Sequence, residues 1–169
     1  MTTTSTLRSD ARVIGLVGLA HGVSHFYHLI LAALFVWLKP AFNLSYAELG
    51  LLMTVFFIIS GVGQALAGFV VDRFGARAVL FAGVLMLGVS ALALAQAHSY
   101  TALMLGAMLA GTGNSVFHPA DYTILNQRVS PARVAYGFSM HGISGNIGWA
   151  LAPVFMTYVA THYDWRVAL

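Results

Sequence analysis

The sequence predicts an all-α, polytopic membrane protein with five transmembrane helices, on three observations. Only 8% of its 169 residues are Asp, Glu, Lys or Arg, against roughly 25% in ordinary soluble domains. Hydrophobic residues make up 59% of the chain and the mean hydropathy is +0.82. Five separate segments are long enough to cross a bilayer and carry none of these four charged residue types. The surface must therefore face lipid rather than water.

The composition excludes several classes of protein. The chain has no Cys, which rules out disulfide frameworks, thiolate zinc sites and cysteine nucleophiles. Its net charge is +3, but the eight basic residues are scattered singly, whereas nucleic-acid binding needs them clustered on one face. We expect no enzymatic activity, no cofactor, no metal ion and no nucleic-acid partner.

The spans follow from length, because about 20 apolar residues in a helix cross the hydrocarbon core. We expect residues 1–11 to be a polar cytoplasmic tail and residues 12–169 to be one membrane domain. The predicted helices cover residues 13–38, 49–71, 79–97, 101–120 and 134–160. Ser45 and Glu48 form a capping-box pattern that predicts the start of the second helix near Ser45.

Basic residues predict the orientation, since Lys and Arg are retained on the cytoplasmic side of a membrane. Lys39 and Arg166 lie at one set of helix ends, and six arginines lie at the other. These six are Arg8, Arg12, Arg73, Arg77, Arg128 and Arg133. The sequence therefore predicts a multi-pass protein of the cell (inner or plasma) membrane with a cytoplasmic N-terminus.

Polar residues within the predicted spans indicate which helix faces point inward, because each costs free energy in lipid. The third span is almost wholly apolar and is expected to be peripheral, whereas Pro119 is expected to bend or loosen the fourth. Polar residues recur at helical spacing on the first, fourth and fifth spans. We predict that they line a substrate or proton pathway: His21, His25, His28, Asn114, His118, Asp121, His141 and Asn146.

Other interpretations of these residues stay open at this point. The histidines could be neutral imidazoles that bond to neighbouring helices, or His21, His25 and His28 could ligate heme or a metal ion in a membrane redox protein. Asp121 could be an interfacial carboxylate neutralised by Arg128. The glycines Gly142, Gly145 and Gly148 are expected to be packing notches.

The turn between the second and third spans carries the family signature. Gly68, Asp72, Arg73, Gly75 and Arg77 fall in the order G-x-x-x-D-R-x-G-x-R-x-x-L. This pattern resembles the cytoplasmic loop between helices two and three of the major facilitator superfamily. The stretches 111–119 and 136–148 resemble the corresponding parts of its fosmidomycin-resistance-type branch.

The resemblance implies the N-terminal half of a major facilitator fold, in which helices one, two, four and five line the cavity. It implies a secondary transporter that moves a small organic solute, with proton-coupled efflux in the complete protein. Two departures weaken the antiporter assignment. Ala107 stands where many drug/proton antiporters of the superfamily carry Arg, and the fifth span has no Gly-Pro pair.

A major facilitator half has six helices, and alternating access needs two such bundles around a shared site. Five predicted spans therefore indicate an incomplete N-terminal half. We expect the chain to be a fragment of a carrier, with the missing C-terminal half as its partner. The remaining alternative is a membrane scaffold that transports nothing.

The topology can be tested with single cysteines, because the chain contains none of its own. A membrane-impermeant maleimide applied to intact cells should label His98→Cys, in a predicted outer turn, and spare Asp72→Cys until the cells are permeabilised. Labelling of Asp72→Cys in intact cells would contradict the orientation.

Overall fold

The computed structural model describes residues 6–169, which form helices joined by short turns and contain no strand. The all-α prediction is therefore confirmed. The helices, numbered in chain order, are α1 (Leu7–Ala33), α2 (Phe35–Phe42), α3 (Tyr46–Phe74), α4 (Ala76–Ala95), α5 (Tyr100–Asn114), α6 (Phe117–Arg128), α7 (Val134–His162) and α8 (Trp165–Ala168).

Four of these helices, α1, α3, α4 and α7, are long and apolar enough to cross a membrane. The fourth predicted span, residues 101–120, is instead divided into α5 and α6 at Ser115 and Val116. Both residues keep nearly helical backbone angles. Pro119 cannot donate the backbone hydrogen bond that would continue the helix. The loosening of the helix that is expected at Pro119 is therefore present, three to four residues before the proline.

The first predicted helix also differs from its expected bounds. It begins at Leu7, where the side chain of Thr6 accepts a hydrogen bond from the Ser9 amide. Residues 7–11 of the predicted tail are thus helical, and residues 1–5 lie outside the described part. The span predicted over 13–38 is divided at Leu34 into α1 and α2.

The turns that join α2, α3 and α4 have specific local causes. Asn43 ends α2 in the left-handed conformation, with φ at 52°. The predicted capping box is confirmed, because Ser45 Oγ accepts from the Glu48 amide and the Glu48 carboxylate accepts from the Ser45 amide. Gly75, with φ at 84°, joins α3 to α4 in a conformation that favours glycine.

Helix α1 packs along α7, and glycines allow the close approach. A Cβ added to Gly148 would overlap the carbonyl oxygen of Gly22, and one added to Gly145 would lie 2.7 Å from His21 Cε1. These two glycines are packing notches as predicted. The prediction is wrong for Gly142, where an added Cβ would meet no described atom within 4 Å.

An ion pair between a partly exposed arginine and a buried carboxylate attaches the start of α1 to the turn between α6 and α7. Arg133 Nε lies 2.7 Å from Asp10 Oδ2, and Ser130 Oγ donates to the same oxygen at 2.7 Å. The Asp10 side chain is fully buried. Sequence analysis missed this contact because it assigned Asp10 to the tail and used Arg133 only as a topology marker.

Substitutions at two glycines of α7 test the packing. Gly148→Ala should lower the free energy of unfolding by about 1–3 kcal/mol, because its Cβ must push α7 away from α1. Gly142→Ala should leave stability unchanged or raise it by at most about 1 kcal/mol, the helix preference of alanine over glycine. Unfolding in detergent micelles with increasing dodecyl sulfate measures both. Equal effects of the two substitutions would contradict the packing.

Candidate functional site

Five histidines from three helices gather between α1, α6 and α7, and we call them the histidine cluster. They are His21, His25, His28, His118 and His141. The ring centroid of His21 lies 3.4 Å from that of His141, 4.2 Å from that of His25 and 5.2 Å from that of His118. The polar faces predicted on these helices therefore meet around His21.

Hydrogen bonds at their Nδ1 atoms hold the rings of His21 and His118 in place. His21 Nδ1 lies 2.8 Å from the His141 carbonyl oxygen, which only accepts, so Nδ1 carries the proton and donates. His118 Nδ1 lies 2.6 Å from Gln64 Oε1 of α3. The two Nε2 atoms face each other at 3.3 Å. Each ring therefore directs its Nε2 atom into the same space between α1 and α6.

His28 and Asn114 belong to a second hydrogen-bonded group, in which every donor can be matched with an acceptor. Trp149 Nε1 donates to His28 Nδ1 at 3.0 Å, so Nε2 carries the proton and donates to Asn114 Oδ1, also at 3.0 Å. The Asn114 oxygen also accepts from Ser60 Oγ, and its amide nitrogen donates to Ser24 Oγ at 2.8 Å. Helices α1, α3, α5 and α7 are linked through these side chains.

Asp121 is fully buried and bonds to a histidine. Its Oδ2 lies 3.1 Å from His141 Nε2, whose side chain is also buried. Its Oδ1 has no hydrogen-bond partner among residues 6–169. The alternative in which Arg128 neutralises Asp121 is wrong, because Arg128 is exposed and the carboxylate contacts His141.

The ring of His25 lies among the other rings of the cluster and that of Trp149. Its ring lies 4.7 Å from the ring of His28 and 4.5 Å from that of Trp149, measured between centroids. Both ring nitrogens are buried, and neither has a hydrogen-bond partner in the described part of the chain. Such a group costs free energy unless something else binds to it.

Two sets of predicted site residues lie apart from the cluster. Asn146 of α7 is exposed, on a different face from His141. The loop residue Asp72 is exposed as well, and it makes no hydrogen bond or ion pair with the described residues. Arg73 and Arg77 lie over the rings of Phe74 and Phe81, each with 5.6 Å from guanidinium carbon to ring centroid.

The sequence analysis missed three residues that complete the site. Gln64 and Ser60 are polar residues within the apolar α3, and the rule that such residues point inward would have found them. Trp149 gives no comparable signal, because an aromatic residue in a membrane helix is also expected at the interface. From the almost wholly apolar α4, the Leu87 carbonyl accepts from the Tyr27 hydroxyl.

Comparison with known proteins gives consistent matches to one family. The statistical model of the Major Facilitator Superfamily matches residues 16–169. The chain is 26% identical over 160 residues to the Fosmidomycin resistance protein of Escherichia coli, covering 95% of this chain and 39% of that protein. It is 30% identical over 152 residues to the Membrane sensor protein UhpC of Salmonella typhimurium, covering 81% of this chain and 34% of that protein.

A further relative is the Niacin transporter NiaP of Acinetobacter baylyi, which is 27% identical over 140 residues, covering 82% of this chain and 32% of that protein. The chain thus spans between 32% and 39% of the length of these three relatives.

Proposed function

Because the chain belongs to the major facilitator superfamily, we propose that it forms the amino-terminal part of a carrier that exports a small organic solute in exchange for protons. The family membership and the long apolar helices make it a multi-pass membrane protein with a function in solute transport. The direction of transport, the coupling to protons and the cell membrane as its location are parts of the proposal.

The histidine cluster is the observation that carries this proposal. Buried polar groups in membrane helices are costly and usually mark a substrate or ion path. His28 and His118 keep part of their surface exposed, while Asn114 and His21 behind them are buried. A solute with hydrogen-bonding groups would contact the exposed pair, and the buried layer would hold those rings in place.

Asp121 is the group we propose to carry the proton. Among the described residues, an ionised Asp121 carboxylate has His141 as its one hydrogen-bonding partner, and its Oδ1 lacks a donor. Protonating the carboxylate removes the buried negative charge, and releasing that proton to water restores a carboxylate that can accept a hydrogen bond from His141 Nε2. A carboxyl in this setting is suited to alternate between the two forms as water enters and leaves. Asp121 would then supply the proton-coupling group that many drug/proton antiporters of the superfamily provide with an arginine at the position of Ala107.

The remainder of the carrier is the proposed partner of this chain. The similar proteins are longer, and the chain matches only 39% and 34% of the first two. Alternating access requires two bundles that rock around a shared site. We propose that a second bundle faces the histidine cluster and completes the solute path.

The proposal predicts a specific loss on substituting Asp121. In vesicles that contain the complete carrier, Asp121→Asn should reduce proton-driven solute accumulation at least tenfold. Exchange of solute in the absence of a pH gradient should persist, because the amide keeps the shape of the side chain. The proton movement that accompanies transport is measured by the quenching of a pH-sensitive dye. The solutes tested include fosmidomycin and niacin.

Asp164→Asn is the matched control, since Asp164 is exposed and caps only the short α8. It should transport like the unmodified protein. Undiminished proton-driven accumulation by Asp121→Asn would remove the coupling role. A complete carrier that moves no solute on the panel by either assay would count against the export proposal.

A further inference from the structure

We infer that His21, His25 and His118 form a binding site for a divalent transition-metal ion of the zinc class, held between α1 and α6. The inference stands on the geometry of these three rings and does not depend on the proposed transport function. It differs from the sequence-based expectation that the protein binds no metal.

The hydrogen bonds on the outer sides of two rings prepare them as ligands. His21 donates through Nδ1 to the His141 carbonyl, so the Nε2 of its neutral ring carries a lone pair. His118 likewise donates through Nδ1 to Gln64 Oε1 at 2.6 Å, so its Nε2 also carries a lone pair. Metal-binding histidines commonly have such a bond on the second nitrogen, which orients the ring and selects the tautomer.

The distance between the two lone pairs fits a metal ion. With both Nδ1 atoms protonated, neither Nε2 has a proton to share, yet the two atoms lie 3.3 Å apart. Tetrahedral zinc with Zn–N bonds of about 2.0–2.1 Å places neighbouring ligand nitrogens about 3.3–3.4 Å apart. A cation between the two atoms would turn a repulsive pair into two ligand bonds.

His25 supplies the third ligand. Its nitrogens are buried and have no partner among residues 6–169, and the residue is 9% exposed. One ligand atom from each of His21, His25 and His118 lies within 4.8 Å of the others, so a small rotation of the rings would bring all three to one ion. Gly145 leaves room for this, because a Cβ there would lie 2.7 Å from both His21 Cε1 and His25 Nδ1.

The chemistry of the ligands selects the class of ion. Neutral imidazoles suit zinc, copper and nickel, whereas calcium and magnesium prefer oxygen ligands. Three protein ligands leave a fourth position for water or an exchangeable group. The nearby negative charge is Asp121, which bonds to His141, whose ring is stacked on His21.

One competing arrangement needs no metal. If the Gln64 amide were turned over, its nitrogen would donate to His118 Nδ1, and His118 Nε2–H would donate to His21. In that arrangement the buried ring of His25 has at most a contact with the Gly145 backbone, which makes His25 the most informative residue to replace.

Metal binding by the purified protein tests the inference. The protein should be prepared at its full natural length in detergent, without a polyhistidine tag, stripped with chelator and dialysed against Zn²⁺ or Co²⁺. We expect one ion per chain by elemental mass spectrometry, and the intense visible bands of four-coordinate Co²⁺. His25→Gln should bind at least tenfold more weakly, and Gln64→Leu about tenfold more weakly because the His118 ring loses its orienting bond.

His162→Gln is the matched control, since His162 is an exposed histidine at the end of α7. It should bind like the unmodified protein, and melting in the presence of chelator should verify that all variants fold. Absence of stoichiometric binding, unchanged affinity in His25→Gln, or an equal loss in His162→Gln would overturn the site. Asp121→Asn should keep its metal while losing proton coupling, so the two proposals fail separately.

Discussion

The arrangement of the helices depends on one constraint: polar side chains among apolar helices must find their partners in one another. His21 bonds to the backbone of α7 and faces His118 of α6, while Asn114 of α5 bonds to side chains of α1 and α3. Rotating any of these helices about its axis would expose a polar side chain to lipid without a hydrogen-bond partner. The close approach of α1 to α7 at Gly145 and Gly148 restricts the rotation of these two helices as well. The polar network and this glycine packing agree on the same arrangement.

Much of the fold is visible in the sequence because its signals are local. Uncharged segments of about 20 residues indicate spans regardless of their neighbours, and the capping box at Ser45 involves residues only three apart. The histidine spacing on α1 is also a local pattern, since positions three and four apart share a helix face. The inward face of α1 could therefore be predicted without knowing what it meets. The break at Leu34 has no such signal, because neither proline nor glycine stands there.

The partners within the site could not be predicted, because they depend on how neighbouring helices turn. Spacing shows that Asp121 lies on a polar face, but not that His141, rather than Arg128, approaches it. Asn146 has the same polar character as Asn114 and yet lies on the exposed side of α7. The pair of Asp10 and Arg133 joins residues 123 positions apart in the sequence. Each outcome is decided by tertiary packing.

The central claim is that histidines of three different helices face one another inside the protein. Nitrogen-15 NMR of histidine-labelled protein in lipid bilayers tests this most directly, since through-space nitrogen correlations report imidazoles only a few ångströms apart. We predict a contact between the side chains of His21 and His118, a His21 ring protonated at Nδ1, and exposed rings of His98 and His162 that exchange freely with water. A His21 ring that exchanges as freely as His98 and shows no contact with His118 would contradict the account.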